Sequence, residues 1–302
     1  MWKYKHIIAK FLVLMSFCFG LSQTVIAKKL VVGAKTFSEQ IVLAEIAAEL
    51  LRKEGYDVKI KGNIQTALLR KALETGNVDL YFEYTGTAYI TFYKQSDPET
   101  YSDPQKIYKW VKESDKEKGL IWLDLFSFNN TNSFIMRKDM QEEKKIFSFS
   151  DLSTYLHKKS NDPLKIAISA EFYARADGYK RLAKAYDFPR NNKLIKMDFG
   201  LIYTALKNKD VDIGLGYSTD GRIGAWGFVN LKDDKNFFPN YQPAAVVREE
   251  ILDKHPEIQK ALLPMAQYIN AKNIRQMNAA IDLDNKDPKA VAHQWIQQTL
   301  GE

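Results

Sequence analysis

Apolar residues along the first third of the chain follow two alternating spacings. Short apolar runs predict buried strands at residues 29–33, 57–60 and 78–82. Apolar residues at helical spacing predict helices at residues 41–51 and 66–73. Thr36 and Glu39 have the spacing of a capping box, so the Thr36 hydroxyl is expected to cap the start of the first helix. Alternating strands and helices are typical of βαβ units, which predicts a parallel sheet with helices on both faces.

The same alternation returns further along the chain. Strands are predicted at residues 133–136, 164–168 and 211–215, and helices at 104–118, 178–186 and 201–206. A helical tail follows, with helices predicted at 257–269, 271–281 and 288–300. Two successive αβ blocks and a tail suggest two lobes, with a ligand in the cleft at the carboxyl ends of the strands.

The first 27 residues have the pattern of a cleavable secretory signal. Lys3, Lys5 and Lys10 precede a short apolar core at residues 11–20, and small or β-branched residues end the segment at Ala27. A membrane anchor is the alternative, but the apolar run is shorter than the roughly 20 residues that a spanning helix needs. A lipid anchor on Cys18 is disfavoured because bulky Phe17 precedes it. We therefore expect a periplasmic protein that is cleaved after about Ala27.

Composition and charge exclude several classes of protein. Apolar residues make up 45% and charged residues 27% of the 302 residues, which is ordinary for a folded protein. Removal of Lys3, Lys5 and Lys10 with the predicted signal lowers the net charge from +7 to +4, and basic and acidic residues alternate, so nucleic acid is not an expected partner. A single cysteine excludes an internal disulfide and a cysteine-based metal site. The histidines after the signal are scattered, and neither a metal site, a cofactor motif nor a catalytic motif is predicted.

Aromatic residues reach 13% of the chain, and some of them lie beside polar residues in predicted loops. Six short motifs combine the two types: Lys-Thr-Phe-Ser-Glu-Gln (35–40), Glu-Tyr-Thr-Gly-Thr (83–87), Phe-Asn-Asn-Thr (128–131), Arg-x-Asp-Gly (175–178), Tyr-Ser-Thr-Asp-Gly (217–221) and Phe-Phe-Pro-x-Tyr (237–241). With these motifs in this order, the chain from Lys29 to about Leu300 resembles the substrate-binding proteins of ABC importers for glycine betaine, choline and carnitine.

The resemblance implies an α/β fold of the type II periplasmic-binding-protein class, a two-lobed clamshell that holds its ligand in the inter-lobe cleft. In this fold the chain crosses between the lobes twice. Carried over, the first lobe comprises residues 28–131 and 239–302, and the second comprises residues 132–238. The crossings are expected near Asn132 and Pro239.

The resemblance also implies a cage of aromatic rings around a trimethylammonium group. Such a group has no N–H donor, and it is attracted to the faces of aromatic rings by about 0.5–2 kcal/mol each. The matching positions are Tyr84, Tyr217 and Tyr241, with Asn132 where many relatives have a fourth tyrosine. Asn132 either removes one wall and lowers affinity, or hydrogen-bonds a different ligand. The alternative interpretation of each tyrosine is that its ring is a half-buried part of the hydrophobic core and does not contact a ligand.

A second group of positions matches the family's contacts to the ligand carboxylate. Lys35, Thr87 and Arg175 occupy these places, and arginine offers a planar fork that suits a carboxylate. The alternatives are a solvated Lys35 and a surface ion pair between Arg175 and Glu171 or Asp177. Gln40 and Asn130 are further candidates for ligand contacts, although Gln40 could simply serve the start of the helix.

These positions imply an exported, non-enzymatic receptor that delivers a quaternary ammonium osmolyte to the permease of an ABC importer. Glycine betaine is favoured, with choline or carnitine as alternatives, and no cofactor is expected. The receptor is expected to be a monomer. A different cationic or zwitterionic ligand is the second interpretation, because Asn132 replaces a cage tyrosine. An exported enzyme is a remote third interpretation, since no nucleophile–base pair is visible in the sequence.

Overall fold

The structure is a computed structural model that describes residues 28–158, 162–189 and 193–301. The predicted signal peptide lies outside the described residues. No helix within the described ranges is long and apolar enough to cross a membrane.

The first lobe is built on a five-stranded sheet with the order β2-β1-β3-β10-β4. Its strands are β1 (Lys29–Gly33), β2 (Asp57–Lys61), β3 (Leu80–Tyr84), β4 (Leu120–Leu125) and β10 (Pro243–Arg248). β1 pairs in parallel with β2 and β3, whereas β10 runs antiparallel to β3 and β4. The sheet is therefore mixed, and the prediction of a purely parallel sheet is wrong because β10 returns from the far end of the chain.

The second lobe has a sheet of the same design, with the order β7-β6-β8-β5-β9. Its strands are β5 (Asn132–Arg137), β6 (Lys165–Ile168), β7 (Lys193–Lys196), β8 (Ile213–Tyr217) and β9 (Phe228–Asn230). β6 pairs in parallel with β7 and β8, and β5 runs antiparallel to β8 and β9. Each sheet thus contains one strand that runs antiparallel to its neighbours, β10 in the first lobe and β5 in the second. Each of these strands begins directly after the chain has crossed from the other lobe.

Helices cover both sheets. Those of the first lobe before the crossing are Ser38–Lys53, Thr66–Glu74, Thr85–Thr87, the π-helix Ala88–Phe92, Pro98–Tyr101 and Pro104–Lys116. Those of the second lobe are Lys138–Lys144, Phe149–His157, Ala170–Ala174, Tyr179–Ala185, Phe199–Lys207 and Arg222–Ala225. The tail contains Glu249–Lys254, Glu257–Tyr268, Ala271–Asp282 and Pro288–Leu300. Ser148 and Asp151 form a capping box at Phe149–His157, which fixes the start of that helix.

The tail helices share a core with the first lobe. Ile258, Met265, Ile274 and Trp295 are buried in one apolar cluster with residues of the helix Ser38–Lys53 and of β1. A separate cluster fills the second lobe around Phe134, Ile166 and Ile213. The lobes therefore have independent cores, and the surface between them is left to polar and aromatic side chains.

The predicted capping box at Thr36 is wrong. The first helix begins at Ser38, its N-cap is Phe37, and no side chain caps it. Glu39 is buried and hydrogen-bonds groups outside its own helix start, which removes it from the capping role. Two predicted strands lie two residues further along the chain than expected: β3 ends at Tyr84 and β8 ends at Tyr217. These shifts place both tyrosines at strand ends, facing the cleft.

Candidate ligand-binding site

A cavity between the two lobes brings together most of the residues that the sequence singled out. Its lining residues are Lys35, Thr36, Phe37, Thr66, Tyr84, Thr87, Asn130, Asn132, Glu171, Arg175, Tyr217 and Tyr241. Eight of the nine predicted site residues are in this set, and Gln40 is outside it. The carboxyl ends of β1, β3 and β8 all open onto the cavity, as expected for a ligand site in an α/β fold.

Four aromatic rings line this cavity: Phe37, Tyr84, Tyr217 and Tyr241. The centroid of the Phe37 ring lies 6.3 Å from that of Tyr84 and 5.0 Å from that of Tyr217. Sequence reasoning did not single out Phe37, although it belongs to the motif at residues 35–40. Its ring supplies a fourth aromatic wall, while Asn132, the first residue of β5, also lines the cavity.

Hydrogen bonds fix two of the tyrosine rings. The Tyr84 hydroxyl donates to Glu39 Oε1 at 2.6 Å and accepts from Gln40 Nε2 at 3.1 Å. The Tyr241 hydroxyl donates to Asp177 Oδ2 at 2.7 Å. Burial and the neighbouring carboxylates raise the pKa of both phenols well above the usual value, so both stay neutral donors. With their hydroxyl ends held, the rings are pre-organised as walls.

Lys35 follows β1 and is 3% exposed. Its Nζ donates to Glu83 Oε1 at 2.5 Å and lies 5.0 Å from the centroid of the Tyr84 ring. Burial lowers the pKa of Lys35, although the Glu83 carboxylate opposes this effect. The alternative of a solvated Lys35 is wrong, because its ammonium is buried and paired with Glu83 beside the cavity.

Arg175 lies on the other side of the cleft and is paired with Asp177. Its Nε and Nη2 donate to Asp177 at 2.8 and 2.5 Å, and Nη2 also approaches Thr87 Oγ1 at 3.3 Å. Burial lowers the pKa of Arg175, but Asp177 outweighs burial and raises it well above the usual value. The pair is largely buried, since the side chains of Arg175 and Asp177 are 13% and 1% exposed, and Arg175 Nη1 also lies 3.9 Å from Glu171 Oε1. The contact between Arg175 and Thr87 joins the two lobes.

The three remaining candidates serve the cleft in different ways. Asn130 Nδ2 donates to Glu39 Oε1 at 2.9 Å, and Asn132 lines the cavity together with Tyr241. Gln40 Nε2 donates to the Tyr84 hydroxyl from outside the cavity. Asn130 and Gln40 thus hold Glu39 and the Tyr84 ring in position.

Glu39 is the centre of a buried network that spans the lobes. Besides Tyr84 and Asn130, its carboxylate accepts from Thr219 Oγ1 at 2.6 Å and Asn278 Nδ2 at 3.4 Å. Thr219 belongs to the second lobe, and Asn278 lies on the tail helix Ala271–Asp282. Burial raises the pKa of Glu39, and these four donors reduce the effect. This role was not predictable from the sequence, because Glu39 fits a capping box equally well.

The structure shows no metal centre within the residues it describes, since no group of three or more His, Cys, Asp or Glu side chains there could hold an ion.

The two lobes, their paired mixed sheets and the aromatic cavity between them define a two-lobed solute-binding protein. Residues 28–298 match the model of the family described as the substrate binding domain of ABC-type glycine betaine transport systems, and the chain belongs to that family. The glycine-betaine-binding protein of Pseudomonas aeruginosa is 37% identical, and the match covers 93% of this chain and 90% of that protein.

One further relative and one solved structure are also similar to this chain. The ergothioneine transport permease/ergothioneine binding protein of Helicobacter pylori is 36% identical over 90% of this chain, which spans 48% of that protein. A solved structure described as a glycine betaine/carnitine/choline ABC transporter superposes with a TM-score of 0.70 at 28% identity. It covers 89% of this chain and 98% of its own.

Proposed function

We propose that this protein is an exported receptor for a zwitterionic quaternary ammonium solute, with glycine betaine as the first candidate. One observation carries the proposal: a single inter-lobe cavity is lined by four aromatic rings together with Lys35, Thr87 and Arg175. Ring faces attract a methylated ammonium that cannot accept or donate a hydrogen bond, and they also bury its methyl groups. The cations and the hydroxyl suit a carboxylate at the other end.

The proposed roles follow from this chemistry. Trimethylammonium is enclosed by Phe37, Tyr84, Tyr217 and Tyr241, and the carboxylate meets Lys35, Thr87 and Arg175. Asn130 and Asn132 complete the wall, and Gln40 holds Tyr84. Glu171 also lines the cavity, and its Oε1 forms an ion pair with Arg175 Nη1 at 3.9 Å.

Lobe closure supports the same function. The proposed lobes are residues 28–131 with 239–302, and residues 132–238, because β4 and β10 belong to one sheet and β5 and β9 to the other. The crossing segments contact each other, since Asn130 N–H donates to the Tyr241 carbonyl at 3.1 Å. A ligand that contacts both lobes stabilises the closed form through contacts that the open form lacks.

The receptor is proposed to leave the cytoplasm through the signal at residues 1–27 and to act as a periplasmic monomer. It then delivers its ligand to the permease of an ABC importer without enzymatic activity. The family membership supports this proposal.

A second candidate is a larger betaine, because Asn132 replaces a ring of the expected cage and a second cavity adjoins the first. The Helicobacter pylori relative, named for ergothioneine, is consistent with this variation.

Calorimetric titration of the protein purified after export tests the proposal. The ligands are glycine betaine, choline, carnitine and proline betaine, with glycine as the unmethylated control. Binding of a trimethylammonium carboxylate, but not of glycine, is the expected result. Equal affinity for glycine and glycine betaine would contradict the aromatic cage, and no binding to any betaine would overturn the receptor assignment.

A further inference from the structure

The tail helix Ala271–Asp282 contacts both lobes, each through a different face. Ile274 and Met277 are buried in the apolar core of the first lobe. A second face points to residues 218–222, a loop of the second lobe that begins directly after Tyr217, the last residue of β8. The residues of this face follow the spacing i, i+3, i+4 and i+7, which gives one stripe along the helix: Arg275, Asn278, Ala279 and Asp282. The helix is thus anchored in one lobe and touches the other through one loop.

Two hydrogen bonds hold the first half of the 218–222 loop against the helix. Arg275 Nε donates to the Ser218 carbonyl at 3.3 Å, and Asn278 Nδ2 donates to the Thr219 carbonyl at 3.1 Å. Thr219 and Asn278 are 1% and 3% exposed. The second of these bonds therefore forms away from water, where a hydrogen bond is stronger than at the surface.

Gly221 lets the loop approach the helix closely. A Cβ atom at this position would lie 2.5 Å from Ala279 Cβ and 2.9 Å from Ala279 Cα. Alanine has no flexible side chain that could move aside, so any larger residue at position 221 must push the loop away from the helix. The contact between Gly221 and Ala279 therefore sets how closely the second lobe approaches the tail helix.

An ion pair ends the stripe. Arg222 Nη2 lies 3.5 Å from Asp282 Oδ2, and it also donates to Asp220 Oδ2 at 2.6 Å. The side chains of Arg222 and Asp282 are 10% and 14% exposed, so solvent screens their attraction less than it would at the surface. Ser38, at the start of the first long helix, donates to the other oxygen of Asp282 and holds this carboxylate in place.

The same loop is connected to the proposed aromatic cage. The guanidinium of Arg222 lies over the ring of Tyr203, with Cζ 3.9 Å from the ring centroid. The Tyr203 hydroxyl accepts from the Tyr217 N–H at 3.1 Å. A displacement of the 218–222 loop away from the helix would therefore also disturb the backbone that carries the Tyr217 ring.

We propose that the tail helix Ala271–Asp282 is a latch that holds the lobes closed independently of the ligand. Gly221, Ala279 and Asp282 are its positioning residues, and none of them lines the first cavity. They set affinity indirectly, because only the closed form presents both halves of the cage and a smaller closed fraction weakens the apparent binding. The statement about affinity rests on the proposed function, whereas the statement about closure does not.

A distance across the cleft measures closure without any ligand. Cys18 is the only cysteine of the chain and lies in the predicted signal, so Leu68→Cys and Leu201→Cys together supply two spin-label sites in the exported protein. Both leucines are exposed, they lie on helices of different lobes, and they line neither inter-lobe cavity. Pulsed dipolar spectroscopy of the ligand-free protein is expected to show mainly the short distance of the closed structure. A distribution that contains only longer distances would overturn the latch.

Two variants disrupt the latch at independent points. Gly221→Ala and Asp282→Asn, each with both labels, are expected to lower the ratio of closed to open protein by about fivefold or more, and to weaken glycine betaine binding by a similar factor. Gly224→Ala is the control for the first, because a Cβ atom there has no neighbour within 4 Å. Asp284→Asn is the control for the second, because Asp284 is exposed just beyond the helix and carries the same charge.

The two measurements separate this inference from the proposed function. If both variants give the same distances as their controls while the wild type binds a betaine, the latch is overturned and the receptor assignment stands. If both variants open the protein but no betaine binds to the wild type, the receptor assignment is overturned and the latch stands. If the variants open the protein and glycine betaine affinity stays at the wild-type level, the latch does not set affinity and that part of the inference is wrong.

Discussion

Phe37 and Tyr217 face each other across the cleft with ring centroids 5.0 Å apart, although they belong to different lobes. Phe37 precedes the helix Ser38–Lys53, and Tyr217 is the last residue of β8. Neither ring alone encloses a cation, so the proposed aromatic cage is complete only when the lobes adjoin. We therefore expect ligand binding and lobe closure to be coupled through the same side chains.

Tyr217→Ala is expected to weaken binding of glycine betaine by about a hundredfold, because it removes a ring face and admits water. Calorimetric titration provides the measurement. Tyr217→Phe keeps the ring and should retain affinity within about threefold. Tyr268→Ala is the control for truncation of a tyrosine, since Tyr268 is 49% exposed on a tail helix. Wild-type affinity in Tyr217→Ala would refute the cage.

The alternation of strands and helices in the sequence predicted the α/β class and six of the ten strands that the structure describes. It did not predict β4, β7, β9 or β10. Short strands such as Lys193–Lys196 carry too few residues for a periodic signal. β10 has a clear apolar run, but its place between β3 and β4 depends on pairing with strands more than 100 residues earlier, which local patterns do not encode.

Most residues of the candidate site were predicted from motifs, but some residues that contact them were not. Tyr84, Tyr217 and Tyr241 were identifiable because each lies in a distinctive polar context. Glu83, which pairs with Lys35, was not singled out, since this pairing depends on distances within the fold. Asp177 was considered as a partner of Arg175, but only as part of a surface ion pair. Phe37 and Glu39 were overlooked for a different reason: a local capping pattern accounted for the segment without any contact across the cleft.

Lys35→Met is expected to weaken the binding of glycine betaine more than the binding of choline. It removes a cation proposed to meet the carboxylate, so glycine betaine should bind roughly ten- to a hundredfold more weakly, whereas choline, which has no carboxylate, should lose much less. The two affinities are compared by titration. Lys59→Met serves as the control, because Lys59 is an exposed residue of β2. An equal loss for both ligands would indicate general damage through the unpaired Glu83 instead of a carboxylate contact.

Glu39→Gln is expected to change how stability depends on pH. Burial raises the pKa of Glu39 in the folded protein above the value of 4.5 for an ordinary glutamate. Between these two pKa values the folded state binds more protons than the unfolded state, so this group's contribution to the free energy of unfolding decreases as the pH rises.

Urea unfolding of both proteins from about pH 4.5 to 8 measures this contribution. The free energy of unfolding of the wild type, minus that of Glu39→Gln, should fall with rising pH. Glu99→Gln removes an exposed carboxylate on the helix Pro98–Tyr101 and controls for the change in net charge. A difference that is constant or rises with pH would contradict a raised pKa for Glu39.

Gly86→Ala is expected to displace the Tyr241 ring of the proposed cage. A Cβ atom at this position would lie 2.7 Å from the Asn240 carbonyl oxygen, 2.7 Å from Pro239 Cγ and 2.8 Å from Tyr241 Cδ1. The second crossing segment must therefore shift and carry the Tyr241 ring with it. Overpacking of this kind costs about 1–3 kcal/mol of stability, and we expect glycine betaine affinity to fall by about tenfold as the ring moves.

Gly62→Ala is the matched control for this substitution, because a Cβ atom there has no neighbour within 4 Å. Thermal unfolding and titration are measured on both variants. If Gly86→Ala lowers stability but leaves affinity at the wild-type level, Tyr241 is not a wall of the ligand site. If affinity falls by the same factor in both variants, the loss does not arise from the contact between Gly86 and Tyr241. Loss of affinity confined to Gly86→Ala would tie ligand binding to the position of the Tyr241 ring.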